Sequence, residues 1–395
     1  MRFASTFQEK SILRDVAFEA AVQSGVAMAM WRLPYRQVIH CIADFSDHVI
    51  AQPFDLNEAT EGFVVSPFLN EQLQHTYFIK ADWRWSSEEE ATPFRKEFPN
   101  DKEAQFQQHW EKQLQGAATN QVPPITSSFT EQSKLAYQSL VEKAITEIKA
   151  NRLRKVVTSR RQAVHFSDIP SATVLFEKLH EAYPSAFISL VHLPGVGTWL
   201  GASPEVLISV DTQQILRTMA LAGTQPYQSN KPLSEAVWTQ KEIEEQALVS
   251  RYIINCFKKV RVREFEEEGP KTVRAGNLLH LRTDFWVDLA AIDYPQLPDI
   301  MLRLLHPTSA VCGMPLQESL AFLATEETYE RQFYSGFLGP VGDTAQLFVN
   351  LRCMQLLGKK AYLYAGGGVT VDSQSEKEWQ ETVMKCETLL RILSD

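Results

Sequence analysis

An α+β fold built round a largely antiparallel sheet is the architecture this chain predicts, on three observations. Short apolar segments come in runs bounded by glycine or proline turns, helical periodicities stand at the edges of those runs, and strand never alternates regularly with helix as a parallel βαβ sheet requires. At 395 residues and 44% hydrophobic content the chain can bury a large core, as one big domain or two ordinary ones.

In chain order, residues 1–125 predict a first helix over Phe18 to Met30, then strands Gln37 to Ile42 and Gly62 to Val65. An acidic and then glutamine-rich region from Trp83 to Gln121 leads to a linker-like turn at Val122-Pro123-Pro124. This N-terminal part carries no motif, and we expect it to complete the same fold as residues 126–395. From Ser133 the signal sharpens. Val141, Ile145 and Ile148 recur at helical spacing in a helix ending near Asn151, and strand Lys155 to Arg160 follows. Alternation puts Lys155, Val157 and Ser159 on one face of that strand and Val156, Thr158 and Arg160 on the other.

Phe187 to Leu193, Trp199 to Ser203 and Glu205 to Val210 read as a β-meander, and Leu216 to Leu221 as a strand ended by Ala222-Gly223-Thr224. A helix over Leu233 to Lys258 puts Glu242 and Glu245 opposite an apolar set that includes Ile243, Ala247 and Tyr252. An acidic turn (Glu264 to Glu268), His280, the His306-Pro307 loop, a glutamate-rich helix, and strand Leu347 to Met354 carrying Arg352 come next. Finally, the apolar run Ala361 to Ala365 stops at Gly366-Gly367-Gly368, and a helix starts at Ser375, an N-cap with Glu378 as capping-box partner. Trp379, Val383, Cys386 and Leu390 form its core stripe, and Glu378, Glu381 and Lys385 a second stripe. That second stripe fits either a solvated face with a Glu381–Lys385 pair or a hard-cation site. The Glu242/Glu245 pair supplies the further carboxylates that the cation site needs.

Composition narrows the function. The net charge of -9, from 39 basic and 48 acidic residues, with no basic block, disfavours nucleic acid and anionic membranes as partners. Neither a secretory signal nor an apolar run long enough to span a bilayer is present, so we expect a cytoplasmic protein. Five scattered cysteines without a CxxC suggest reduced thiols rather than disulfides or zinc. HExxH, GxGxxG and the P-loop signature are missing.

Eight segments in order, Lys155-Val-Val-Thr-Ser-Arg160, Gly201-Ala-Ser-Pro-Glu205, Leu221-Ala-Gly-Thr224, Lys241-Glu242-Ile-Glu-Glu245, His306-Pro-Thr308, Tyr334-Ser-Gly336, Leu351-Arg352, and Gly366-Gly-Gly-Val-Thr with Glu378 to Lys385, resemble the chorismate-utilising enzymes. These include the isochorismate, salicylate, anthranilate and aminodeoxychorismate synthases. The resemblance covers about Ser133 to Leu393 and implies a large two-layer antiparallel β-sandwich surrounded by helices. It also implies a Mg²⁺ held by Glu245 and Glu381, with Glu242 and Glu378 on its waters. Arg352 and Tyr334 would grip the enolpyruvyl carboxylate, and the backbone of Gly366 to Gly368 with Lys385 would complete the anion site. Gly223, Thr224 and His280 would line the ring pocket.

Lys155 decides the reaction within that resemblance. Members that add ammonia resemble glutamine there; those that add water have lysine as general base. A base must be neutral part of the time, so Lys155 should be partly buried. Glu205 would be the general acid that protonates the departing hydroxyl. The expectation is therefore isochorismate synthase, feeding menaquinone or siderophore biosynthesis, with chorismate as partner and no obligatory amidotransferase subunit. Arg282 leans towards the menaquinone type. A salicylate synthase, which also eliminates pyruvate, is the neighbouring alternative, and a non-catalytic binding protein on this fold the distant one. Two departures from the family pattern, Gln246 where histidine is common and Gly367 where alanine is, remove no implied ligand.

Overall fold

A computed structural model describes residues 7–88, 101–115, 125–127 and 131–394. Two antiparallel sheets form its centre. The ten-stranded sheet runs from Gly313–Met314 (β14) through Lys155–Phe166 (β7), Lys360–Val369 (β18), Cys353–Leu357 (β17), Gly197–Ser203 (β9), Phe187–Leu193 (β8), Ala27–Arg32 (β1) and Ile39–Asp44 (β2) to Trp83–Ser86 (β5), with Ile125–Ser127 (β6) also paired to β7. The eight-stranded sheet runs from Glu266–Ala275 (β12) through Leu278–Asp288 (β13), Ile215–Pro226 (β11), Val206–Val210 (β10), Ala345–Val349 (β16), Phe337–Val341 (β15) and Gly62–Ser66 (β3) to Tyr77–Lys80 (β4). The first five strands are thus divided between the sheets, β1, β2 and β5 in the larger and β3 and β4 in the smaller.

The helices are Phe7–Ser24 (α1), Asp101–Gln115 (α2), Glu131–Lys149 (α3), Ala172–Ala182 (α4), Gln240–Lys259 (α5), Leu289–Ile292 (α6), Leu297–Leu305 (α7), Leu316–Glu326 (α8) and Ser375–Ser394 (α9). Strand alternation sorts the core into layers. Met28 and Met30 of β1 join a cluster with Phe106, Phe176 and Leu389 under the helices, whereas Ala27, Ala29 and Trp31 join Phe63, Phe187 and Phe348 between the sheets. Phe187 and Phe348 stack across that interface, with ring centroids 4.0 Å apart. On the far side of the smaller sheet, α5 and α7 cover Leu216, Phe285 and Val349.

Several expectations change. The first helix ends at Ser24 because Gly25 takes φ +61°, and the next residues, Ala27–Arg32, form a strand buried on both faces. The meander splits, since β9 belongs to the larger sheet and β10 to the smaller, and Pro204-Glu205 carries the chain across. The strand expected over Leu347 to Met354 is likewise two, and Asn350-Leu351-Arg352 crosses back, with Arg352 at φ 48°. The two crossings run side by side: Val349 N–H donates to Glu205 O at 3.0 Å, and Ala202 N–H to Arg352 O at 3.1 Å.

Strand β11 does not stop at Ala222. It continues through a bulge where Gly223 takes φ +70°, a conformation that favours glycine. The helix expected from Leu233 begins at Gln240, and Ile243 is exposed; the buried stripe is Gln246, Val249, Ile253 and Phe257. Most of the acidic turn is the start of edge strand β12. Gly366 to Gly368 are not a turn but the paired end of β18, opposite Ser159 to Val157. Helix α9 includes Ser375, and its Glu378 turns inward to Lys241 instead of capping; the capping box sits on α5, where Glu242 accepts Thr239 N–H at 2.8 Å. Val122 to Pro124, the expected linker, lie outside the described residues.

Candidate active site

Local structure explains why three glycines occupy a buried strand. A Cβ on Gly366 would lie 2.6 Å from Thr158 O and 2.9 Å from the Tyr334 hydroxyl; on Gly367 it would meet Glu378 Oε2 at 3.0 Å; on Gly368 it would overlap Glu245 Oε1. The strand is bare so that carboxylates from α5 and α9 can lie against it.

Next to this strand is a cavity. Glu205, Gly223, Thr224, Glu245, His280, Tyr334, Arg352, Gly366, Gly368 and Lys385 all line it. Lys155, Glu242, Glu378 and Glu381 do not. Lys155 is buried altogether rather than partly, with Nζ 3.0 Å from Glu245 Oε1, close enough for an ion pair but outside hydrogen-bond angles. It stands one layer behind the cavity wall.

Each carboxylate of the expected cation site has a partner. Glu378 Oε1 lies 2.5 Å from Lys241 Nζ, and Glu381 Oε1 2.7 Å from Lys385 Nζ, which also donates to Gly366 O at 2.8 Å. Glu242 is tied to Thr239 at the start of α5. Among the described residues no three histidine, cysteine or carboxylate side chains are gathered as a ready-made metal-ligand set. One buried oxygen, Glu378 Oε2, has no hydrogen-bond partner. Burial and the neighbouring Glu381 push the Glu378 carboxyl up; burial acts on Glu381 in the same sense, but Lys385 and Lys241 outweigh it and hold that group down.

The opposite wall carries a neutral acid and a buried cation. Burial pushes Glu205 up to about 8 against the pull of Lys155, Lys385 and Arg352, so it is protonated at neutral pH. His280 is held down to about 3 by burial and by Arg352 and is neutral. Its Nδ1 lies 2.7 Å from Gly223 O, so that nitrogen carries the proton, and Nε2 is left to face Arg352 Nη2 at 3.4 Å. Arg352 is 9% exposed, and its Nη1 has no partner at all. A guanidinium with a free donor at the wall of this cavity suits a planar carboxylate.

Sequence reasoning missed other parts. Lys241 stood in a quoted motif without a role, and Val157, Tyr364 and Val311 also line the cavity. Arg282 lies away from it, on Asp284 at 2.6 Å. His306 donates to or accepts nothing in the cavity; its Nε2 lies 3.0 Å from Pro67 O.

Fold and site together define an α+β protein with a cavity lined by a buried guanidinium, a buried carboxyl and a lysine. The chain belongs to the family described as chorismate binding enzymes, which it matches over residues 33–394. It is 27% identical over 265 residues to isochorismate synthase MenF of Escherichia coli, covering 66% of this chain and 60% of that protein. It is 28% identical over 300 residues to isochorismate synthase DhbC of Bacillus subtilis, covering 72% and 73%. The chain thus spans about three fifths of the first relative's length. In three dimensions it is similar to the menaquinone-specific isochorismate synthase MenF from Escherichia coli, with a TM-score of 0.73 at 21% identity over 96% of this chain and 91% of that one.

Proposed function

We propose that the protein is an isochorismate synthase that uses Mg²⁺ and converts chorismate to isochorismate. The observation that carries the reading is a buried lysine and a buried, protonated carboxylic acid set against the same cavity, Lys155 behind Glu245 and Glu205 on the wall. Acid and base held at one site are what addition of water at one ring carbon and loss of hydroxyl from another require. Lys155 takes a proton from the attacking water as the new C–O bond forms. Glu205 gives its proton to the hydroxyl whose C–O bond breaks, so water leaves and the ring double bond shifts. For this Lys155 must part from Glu245, give up its ammonium proton to solvent and reach past Glu245 into the cavity as the neutral amine. Arg352, oriented by neutral His280, and Tyr334 would hold the enolpyruvyl carboxylate.

The oxygen-only donor set fits a hard cation, and the buried Glu378 Oε2, beside Glu381 and without a hydrogen bond, is an acceptor that such a cation or its water would satisfy. Glu245 and Glu381 would hold Mg²⁺ directly, with Glu378 and the second oxygen of Glu242 on its waters. When bound, the metal would neutralise and polarise the ring carboxylate.

Incubating the pure protein with chorismate and Mg²⁺ without ammonia, with product chromatography and a pyruvate assay, tests the reading. Isochorismate without pyruvate is expected. Salicylate with matching pyruvate would make it a salicylate synthase, and no conversion would favour a binding protein.

A further inference from the structure

Strand β7, which carries Lys155, lies along β18 on one edge, while its outer edge is paired only near its two ends, by β14 and by β6. On its outer edge β14 pairs with Lys155 and Val156 and then stops, and Val157 N–H still reaches Cys312 O at 2.8 Å. Beyond that point two side chains replace a strand. Arg331 Nη2 donates to Val157 O at 2.6 Å, and Glu327 Oε1 accepts Ser159 N–H at 2.8 Å and Ser159 Oγ–H at 2.7 Å.

Glu327 and Arg331 are locked to each other as a fork, with Nε to Oε2 at 2.8 Å and Nη2 to Oε1 at 2.6 Å, and their side chains are 4% and 2% exposed. The remaining arginine nitrogen, Nη1, donates to Val311 O at 2.8 Å. Tyr334 N–H donates back to Arg331 O at 2.9 Å. Val157, Val311 and Tyr334 all line the cavity. One buried ion pair therefore ties the lysine's strand, the Val311 loop and the tyrosine to a common point, yet touches nothing inside the cavity.

Removing such a pair's partner is costly, and the pair itself is not an obvious source of stability, since both charges are desolvated. Its geometry is spent on backbone groups that position the site. We propose that Glu327 and Arg331 are positioning residues that set the depth of Lys155 relative to Tyr334. This rests on the reading of Lys155 as the base. A shift of about 1 Å in a reacting group can cost roughly a hundredfold in rate, so the pair should govern kcat more than KM.

The test uses Arg331→Lys, Arg331→Met and Glu327→Gln in the full chain, with kcat and KM for chorismate and hydrogen exchange of the peptide spanning residues 155–160. Each folded variant is expected to lose about tenfold or more in kcat with KM within about threefold, and to exchange faster at Ser159 while the core strands stay protected. Arg331→Lys should recover part of the loss seen in Arg331→Met, because it keeps the charge but not the fork. If Arg331→Met does not fold, Glu327→Gln, nearly isosteric, carries the test. A folded variant with wild-type kcat, or a rate loss without faster exchange at β7, would overturn the proposal. If the wild type does not turn over chorismate, the exchange arm still decides whether the pair orders the Lys155 strand, so that failure of the function is told apart from failure of the pair.

Discussion

At the scale of single residues, Glu205 makes the sharpest prediction. It is 3% exposed and its carboxyl is pushed up to about 8 by burial. Turnover should therefore fall as pH rises through about 8, where the acid loses its proton, and a kcat profile checks this. Stability carries the same sign. The unfolded chain releases this proton near the ordinary glutamate value and the folded one only near 8, so between those values the native state binds more protons and stability falls as pH rises. Glu205→Gln removes that loss. It should abolish turnover yet raise the melting temperature at pH 9, by about 1 kcal/mol or more in stability. Lys155→Met should also abolish turnover, by at least about a hundredfold, while circular dichroism keeps the native spectrum. Near wild-type activity in either variant would remove the mechanism.

At the scale of elements, β18 and the two carboxylate helices form a unit. Gly368→Ala would push a methyl into Glu245 Oε1 and to 2.9 Å from Lys155 Cε. We expect about 1–3 kcal/mol of destabilisation in urea melts and a loss of Mg²⁺-dependent turnover. Glu381→Gln should weaken the Mg²⁺ response without that strain, which a Mg²⁺ titration reads directly. Much of this unit was legible beforehand. Helical spacing put Glu378, Glu381 and Lys385 on one stripe, and period-2 alternation put Lys155 with Val157 and Ser159. The glycines were misread because local turn propensity is a property of the segment, whereas the reason for three bare residues lies in two helices that pack on them from elsewhere. The Glu327–Arg331 pair was invisible for the same reason: its partners are backbone atoms of β7 and the Val311 loop.

At the scale of the whole molecule, the sequence announced strands but not which sheet each joins. Apolar runs such as Trp199 to Ser203 and Val206 to Val210 look alike, and only the register across Pro204-Glu205 separates them. Residues 27–86, silent for chemistry, supply strands to both sheets. Their contribution is measurable at the sheet interface, where Phe63 of β3 lies 6.5 Å from Phe187 by ring centroids. Phe187→Ala should cost about 3–5 kcal/mol in denaturant unfolding, through lost burial and the cavity left behind.

The paired crossings have a further effect. Glu205 lies on the link that leaves the larger sheet and Arg352 on the link that returns, each tied by a backbone hydrogen bond to a strand end that flanks the other link. Any slip of one sheet across the other changes the separation of the proposed proton donor and the proposed carboxylate clamp before a single strand melts. The proposed turnover would thus serve as an alignment gauge for the sandwich. On slow heating, activity should disappear several degrees below the far-ultraviolet transition, and Phe187→Ala should widen that gap; coincident curves would show that the sheets come apart only together with their strands.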